Sequence, residues 1–137
     1  MLMLLLDTHT AIWLVANERI AREAEEAIKT VHKTNGTLLV SPITAWEVGL
    51  LVSLKRVDLL ATPQRWFARL LSIPNVHLAE LSSDILIASS FLPGTPPRDP
   101  ADRILLATAR DLGATLVTRD RLLLKYGEEG QVSTIPC

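Results

Sequence analysis

The sequence predicts an α/β fold on a parallel sheet, and three observations carry that expectation. Apolar runs of strand length, LMLLL at 2–6, TLLVS at 37–41 and ATLVT at 114–118, have the composition of strands covered on both faces. Between them lie longer stretches with helical spacing, so strands and helices alternate. Asn35-Gly36 and Gly113 supply left-handed helix stops, and each leads directly into one of the strands.

The elements follow in order. Residues 2–6 form the first strand, which ends at Asp7. Residues 10–16 and 19–34 carry Ala, Glu, Arg, Lys and Ile at helical spacing, as a helical pair or one broken helix. After the strand at 37–41, Ser41-Pro42 is a helix start, the hydroxyl as N-cap and the proline in the first helical position. Glu47 falls in the second turn of that helix. Thr62-Pro63 repeats the signal for a helix through Ser72; VHLAEL (76–81) is strand-like and SSDILIASSFL (82–92) helical. PGTPPRDP (93–100) holds four of the eight prolines and reads as a loop with its Pro-Pro exposed. Asp99 then caps a helix that has Pro100 first, Asp102 third and Gly113 as its stop. The strand at 114–118 exits at Arg119-Asp120, and a short helix over 121–126 and a strand near 131–135 complete the chain.

A chain of 137 residues fits one domain, residues 1–137, and can bury a substantial core. Hydrophobic residues make up 48% against 21% charged, leaving apolar surface that marks a dimer or partner interface. The net charge of −1 supplies no global basic field, so any nucleic-acid binding rests on local Arg and Lys or on bound cations. One cysteine, Cys137, rules out an internal disulfide and a Cys-rich zinc set, which fits a reducing cytoplasm. The apolar opening is too short for a membrane span and has no basic flank for a signal.

Four acids stand out against this apolar background: Asp7, Glu47, Asp102 and Asp120. From Met1 to Ala16, Asp7 is the only acid; between Gly36 and Lys55, Glu47 is the only charged side chain. A lone charge in apolar surroundings needs a partner or a metal. In open parallel sheets ligands bind beyond the carboxyl ends of the strands, so Asp7, Glu47 and Asp120 are expected to converge there, with Asp102 joining from its helix. Four carboxylates so placed repel by about 4 kcal/mol per pair at ~4 Å in an effective dielectric near ~20. A hard divalent cation such as Mg²⁺ compensates, and it leaves positions open for a phosphate.

Each residue also has a plainer reading. Asp120 and Asp99 suit helix N-caps, Asp102 suits the positive end of a helix dipole, and Asp7 and Glu47 suit structural ion pairs. Arg98, Arg103, Arg119 and Arg121 flank the acids and are placed either for RNA phosphates or for solvated helix-end salt bridges. Trp13, Trp46 and Trp66 read as core or interface. His9, His32 and His77 lie in separate elements without HExxH spacing and read as surface or packing, not zinc ligands. No GxGxxG, GxxxxGK or GxSxG occurs, which argues against nucleotide cofactors and a nucleophile elbow.

Taken together, LLLDTHTAIW, SPITAWEVGLL, DPADRILLATA and LVTRD resemble a PIN domain, and more narrowly the VapC-like toxins of type II toxin–antitoxin systems. The resemblance spans nearly the whole chain. It implies a three-layer α/β/α sandwich and a Mg²⁺- or Mn²⁺-dependent endoribonuclease, homodimeric and silenced by a cognate antitoxin. The acidic quartet of the family falls on Asp7, Glu47, Asp102 and Asp120, with Asp99 as an auxiliary acid and Thr8 or Thr118 as hydroxyl support. Two departures are DTHT, where many members have Asp-Thr/Ser-Ser/Asn, and TRD, where many carry a small or amide residue before the last acid. Neither removes an acid.

Two rival readings stay open on the sequence. A phosphatase or phosphoryl-transfer enzyme with Asp7 as nucleophile would want a second Asp two residues on, where His9 stands. A non-catalytic binding module would use the acids only as caps.

Overall fold

The computed structural model describes residues 2–137. Its strands are β1 (Met3–Leu6), β2 (Thr37–Val40), β3 (Val76–Leu78), β4 (Thr115–Thr118) and β5 (Thr134–Pro136). The helices are α1 (Thr8–Ala16), α2 (Arg22–Thr34), α3 (Pro42–Ser53), α4 (Pro63–Ser72), α5 (Ser83–Ala88), α6 (Pro100–Leu112) and α7 (Arg121–Glu128). All strand pairs are parallel, and the sheet order is β3-β2-β1-β4-β5.

The apolar runs behave as expected of strands covered on both sides. Successive side chains of a strand point to opposite faces. Leu4, Leu6, Leu38, Val40 and Val117 therefore join one core with Ala24, Ile28, Val31, Val48, Trp66 and Leu70 from α2, α3 and α4. Leu5, Leu39 and Leu116 join the other, with Leu105, Leu106 and Ala109 of α6 and Leu123 and Tyr126 of α7. Two helical layers thus enclose one sheet, the expected α/β/α sandwich.

Local chemistry sets the boundaries. The hydroxyls of Ser41, Thr62 and Ser82 accept from the amides of Ile43, Arg65 and Ile85, and Pro42, Pro63 and Pro100 open α3, α4 and α6. Asn17, Asn35 and Gly113 take left-handed conformations that stop α1, α2 and α6. The stop at Asn17 divides the first helical region, so α2 starts at Arg22 rather than at residue 19.

Four further expectations need correction. The strand read over 76–81 ends at Leu78, because β2, its one partner, ends at Val40 opposite it. The helix read over 82–92 closes at Ala88 and tightens into turns, with Ser90 and Phe91 bonding back to Ile87 and Ala88. The last strand lies at 134–136 instead of 131–135, since α7 extends to Glu128 and Val132 is drawn into the core. Pro136 is tolerated in β5 because that strand lies at the sheet edge. Finally, the proline loop is folded back and not wholly exposed: Pro97 is buried. Tyr126 donates its hydroxyl to the Pro93 carbonyl at 2.6 Å, and Glu129 accepts from the Thr95 amide at 2.9 Å, pinning the loop to α7. A proline ring brings no N–H that burial would leave unpaired.

No helix among the described residues is long and apolar enough to cross a membrane.

Gly36 joins α2 to β2 in close contact with β1. A Cβ there would lie 2.5 Å from the Leu2 carbonyl oxygen, which accepts from the Thr37 amide. Gly36→Ala is therefore expected to lower stability by about 1–3 kcal/mol, as overpacking does. Urea denaturation that shows no loss would mean the β1–β2 junction yields freely.

Candidate metal centre

The sheet order creates the site. From β1 the chain moves outward through β2 to β3 and then returns to β4 on the other side of β1, so the direction of winding reverses between β1 and β4. A crevice opens beyond the carboxyl ends of strands at such a reversal. Asp7 follows β1 and Asp120 follows β4, so the two acids stand on either side of it. Glu47 comes from α3 after β2, and Asp102 from the first turn of α6.

Three of these carboxylates are held by one oxygen each. Thr118 donates to Oδ2 of Asp7 at 2.5 Å. Thr8 donates to Oε1 of Glu47 at 2.7 Å; its single hydroxyl proton is thereby used, so Thr44, 3.1 Å away, donates to Thr8 in turn. Oδ1 of Asp120 accepts the amides of Leu122 and Leu123 at 2.8 and 3.1 Å, capping α7. Oδ1 of Asp7, Oε2 of Glu47 and Oδ2 of Asp120 have no such bond among the described residues. Asp102 has both carboxylate oxygens unbonded, while its amide is capped by Asp99 at 3.0 Å. The capping readings of Asp99 and Asp120 are thus correct. They do not extend to Asp7, whose side chain caps nothing although it precedes α1.

The carboxylates feel one another. Burial, and then repulsion from Asp99, Asp120, Asp7 and Glu47, lift the Asp102 carboxyl to about 7. Burial also raises Asp7 against the lowering effect of the Thr118 bond, and raises Glu47 against that of Thr8; Asp120 adds to the first and Asp7 and Asp99 to the second. The five acids are therefore neighbours. They are not a closed ligand cage: among the described residues, no three His, Cys, Asp or Glu side chains stand within common reach of one ion.

The donor set fits a hard divalent cation. All donors are oxygens, three are anchored at one oxygen with the other unbonded, and such anchoring orients metal ligands. One-oxygen ligation leaves coordination positions for water and phosphate, as Mg²⁺ prefers. All three histidines are exposed, the surface placement read for them from the sequence.

The flanking arginines depart from the salt-bridge reading. The ion pairs among the described residues are Arg22–Glu26 and Lys29–Glu25, both on α2. Arg103 donates to the Ser89 carbonyl, Arg119 to the main-chain oxygen of Cys137, and Arg98 and Arg121 are exposed. Of the tryptophans, Trp66 is core, Trp46 is 60% exposed, and Trp13 is half-buried beneath Arg119.

The PIN domain family matches residues 4–129. The chain belongs to that family. Among curated proteins, this PIN domain is 32% identical to Ribonuclease VapC22 of Mycobacterium tuberculosis over 123 residues, 89% of this chain and 90% of the relative. Among solved structures, it superposes on VapBC2 from Rickettsia felis bound to a promoter DNA fragment with a TM-score of 0.68 and 15% identity, covering 98% of each chain. DNA-bound VapBC from Salmonella typhimurium gives 0.65 and 20%, covering 99% of this chain and 98% of that one. FitAcB from Neisseria gonorrhoeae gives 0.57 and 18%, covering 96% of each. At these identities the likeness to solved structures concerns the fold.

Sequence reading named the four acids and, through the resemblance, Thr8 or Thr118, but it missed two features of this PIN domain. Thr44 is the buried second link behind Thr8, and its spacing one helical turn before Glu47 was the available signal. The stacking of Arg119 on Trp13 joins distant segments, and no local pattern announces it.

Asp102 yields a pH prediction. Its folded carboxyl keeps a proton that the unfolded chain has lost, so its contribution to stability falls as pH rises from about 4 to about 7. In EDTA-treated protein Asp102→Asn should therefore be the more stable chain at pH ~8, by on the order of 1 kcal/mol after solvent screening, and the difference should shrink towards pH ~4. Denaturation curves at the two pH values decide; a variant less stable at both would show that the carboxyl carries no such cost.

Proposed function

We propose that this PIN domain is a Mg²⁺- or Mn²⁺-dependent endoribonuclease, the toxin of a toxin–antitoxin pair. The observation that carries the reading is the meeting of Asp7, Glu47, Asp102 and Asp120 at the β1/β4 reversal, three of them with one oxygen anchored and one unbonded. Membership of the PIN family and the likeness to a ribonuclease support it.

Asp7, Glu47, Asp102 and Asp120 are the residues that would hold the ion or ions, with Asp99 auxiliary. When bound, a divalent cation supplies Lewis acidity towards a phosphodiester and eases the ionisation of water. The chain supplies positioning. Thr118 fixes Asp7 and Thr8 fixes Glu47, so neither acid spends substrate-binding energy on finding its orientation. Arg98, Arg103, Arg119 and Arg121, none paired with an Asp or Glu side chain among the described residues, contact RNA phosphates and offset the repulsion between an acidic edge and a polyanion.

The neighbouring VapBC and FitAcB structures support a cognate antitoxin as partner. In this chain the apolar face of Trp46, Leu50 and Leu54 on and just beyond α3 is exposed, and it suits contact with an antitoxin or with a second copy in a homodimer. We place the activity in the reducing cytoplasm, with residues 1–137 acting as one domain.

Total RNA incubated with the purified chain and Mn²⁺ or Mg²⁺ should give discrete products, which EDTA and Asp7→Asn abolish. Products that persist in Asp7→Asn would end the reading. Thr118→Val, which leaves Asp7 without its anchoring bond, should lower metal affinity or activity by about 10–100-fold. Isothermal titration with Mn²⁺ reads the first and initial cleavage rates the second, and wild-type values in both would remove Thr118 from the site.

A further inference from the structure

We propose that Arg119, seated on Trp13, is a preformed clamp that binds one RNA phosphate beside the acidic cluster. The inference rests on the ribonuclease reading and adds to it a specific phosphate-binding residue.

Arg119 is fixed from two sides. Its guanidinium carbon lies 3.8 Å from the centre of the Trp13 ring, and its Nε donates to the main-chain oxygen of Cys137 at 2.8 Å. Both supports are themselves held. Trp13 packs against the core of the α2 face, and the Cys137 amide donates to the Thr118 carbonyl at 2.9 Å. The guanidinium therefore has one face on an aromatic ring and one nitrogen occupied. What remains is the edge formed by Nη1 and Nη2, with no hydrogen bond or ion pair among the described residues, on an exposed side chain. That edge is a planar two-pronged donor, the geometry that matches two oxygens of a phosphate.

Its place is equally specific. Arg119 stands between Thr118, which holds Asp7, and Asp120. Trp13 lies on the helix that follows Asp7, and the His9 ring, 5.8 Å from that of Trp13, continues the row towards Asp7 and Glu47. The other flanking arginines lack this arrangement: Arg103 commits Nη1 to the Ser89 carbonyl, and Arg98 and Arg121 are exposed without an aromatic seat among the described residues. An arginine immobilised before substrate arrives loses less side-chain entropy on binding, so it discriminates geometry as well as charge.

The probe is a short single-stranded RNA of mixed sequence, its binding followed by fluorescence anisotropy across a salt series in EDTA, alongside cleavage of total RNA with Mn²⁺. Arg119→Ala should reduce the slope of log affinity against log salt by about 0.7, the loss of one phosphate contact. It should raise KM about tenfold, as loss of a charged hydrogen bond does, with kcat little changed. Arg119→Lys should keep the slope, since the charge remains, yet recover only part of the affinity. An Arg119→Ala chain with unchanged slope and KM, beside an active unaltered chain, overturns the clamp and leaves the ribonuclease reading intact. Loss of thermal stability and of kcat together, with the slope unmoved, likewise assigns Arg119 to structure and overturns it. An unaltered chain that neither binds nor cleaves RNA removes both readings.

Discussion

Bringing five carboxylates to one edge of a sheet costs free energy at every pair, and the rest of the structure is arranged so that they cannot move apart to relieve it. Asp7 and Asp120 follow adjacent parallel strands whose ladder joins Leu4, Leu5 and Leu6 to Thr115, Leu116 and Val117. Both strands are sealed between two apolar layers. Asp99 and Asp102 open α6, which the proline loop and the Leu105–Leu106 packing hold in place. Thr118, with its own backbone in the β4 ladder, ties the Asp7 carboxylate across to the neighbouring strand. Burial first, and repulsion between the acids after it, raises the carboxyls of Asp7, Glu47 and Asp102. A cation of suitable charge would relieve that repulsion.

Much of this was legible in the sequence because the determinants are local. Unbroken apolar runs identify strands buried on both faces, and Ser-Pro, Thr-Pro and Asp-Pro pairs identify helix starts through backbone chemistry that acts over two or three residues. Element ends were less legible where a partner sets them. Nothing within VHLAEL says that pairing ceases after Leu78; β2 ends there, and β2 is elsewhere in the chain. The burial of Pro97 likewise depends on Tyr126 and Glu129, some thirty residues on, gripping the loop.

The site divides in the same way. A lone acid after an apolar run draws notice by itself, so Asp7, Glu47, Asp102 and Asp120 were visible one at a time, and the reversal rule for parallel sheets brought them together. The hydrogen bonds that differentiate them were not. Which oxygen of Asp7 is taken, that Thr44 stands behind Thr8, and that Asp120 uses one oxygen as a cap are products of packing between segments up to 111 residues apart. The sequence offered capping and metal binding as competing roles for Asp120. Geometry makes them compatible, since a carboxylate has two oxygens and the cap uses one.

On the proposed ribonuclease reading an acidic edge has to receive a polyanion, a second electrostatic problem, and the chain's charges are segregated in a way that would address it. The ion pairs found among the described residues lie on α2, whereas none of the arginines that flank the acids pairs with an Asp or Glu side chain. Arg119 is adjacent in sequence to Asp120 and would neutralise it if the two paired; Cys137 and Trp13 hold the guanidinium elsewhere. Keeping opposite charges close but unpaired preserves both, the carboxylates for a cation and the guanidinium for a phosphate. With a net charge of only −1, the chain has no global field with which to gather RNA, so this local separation supplies what the overall composition withholds.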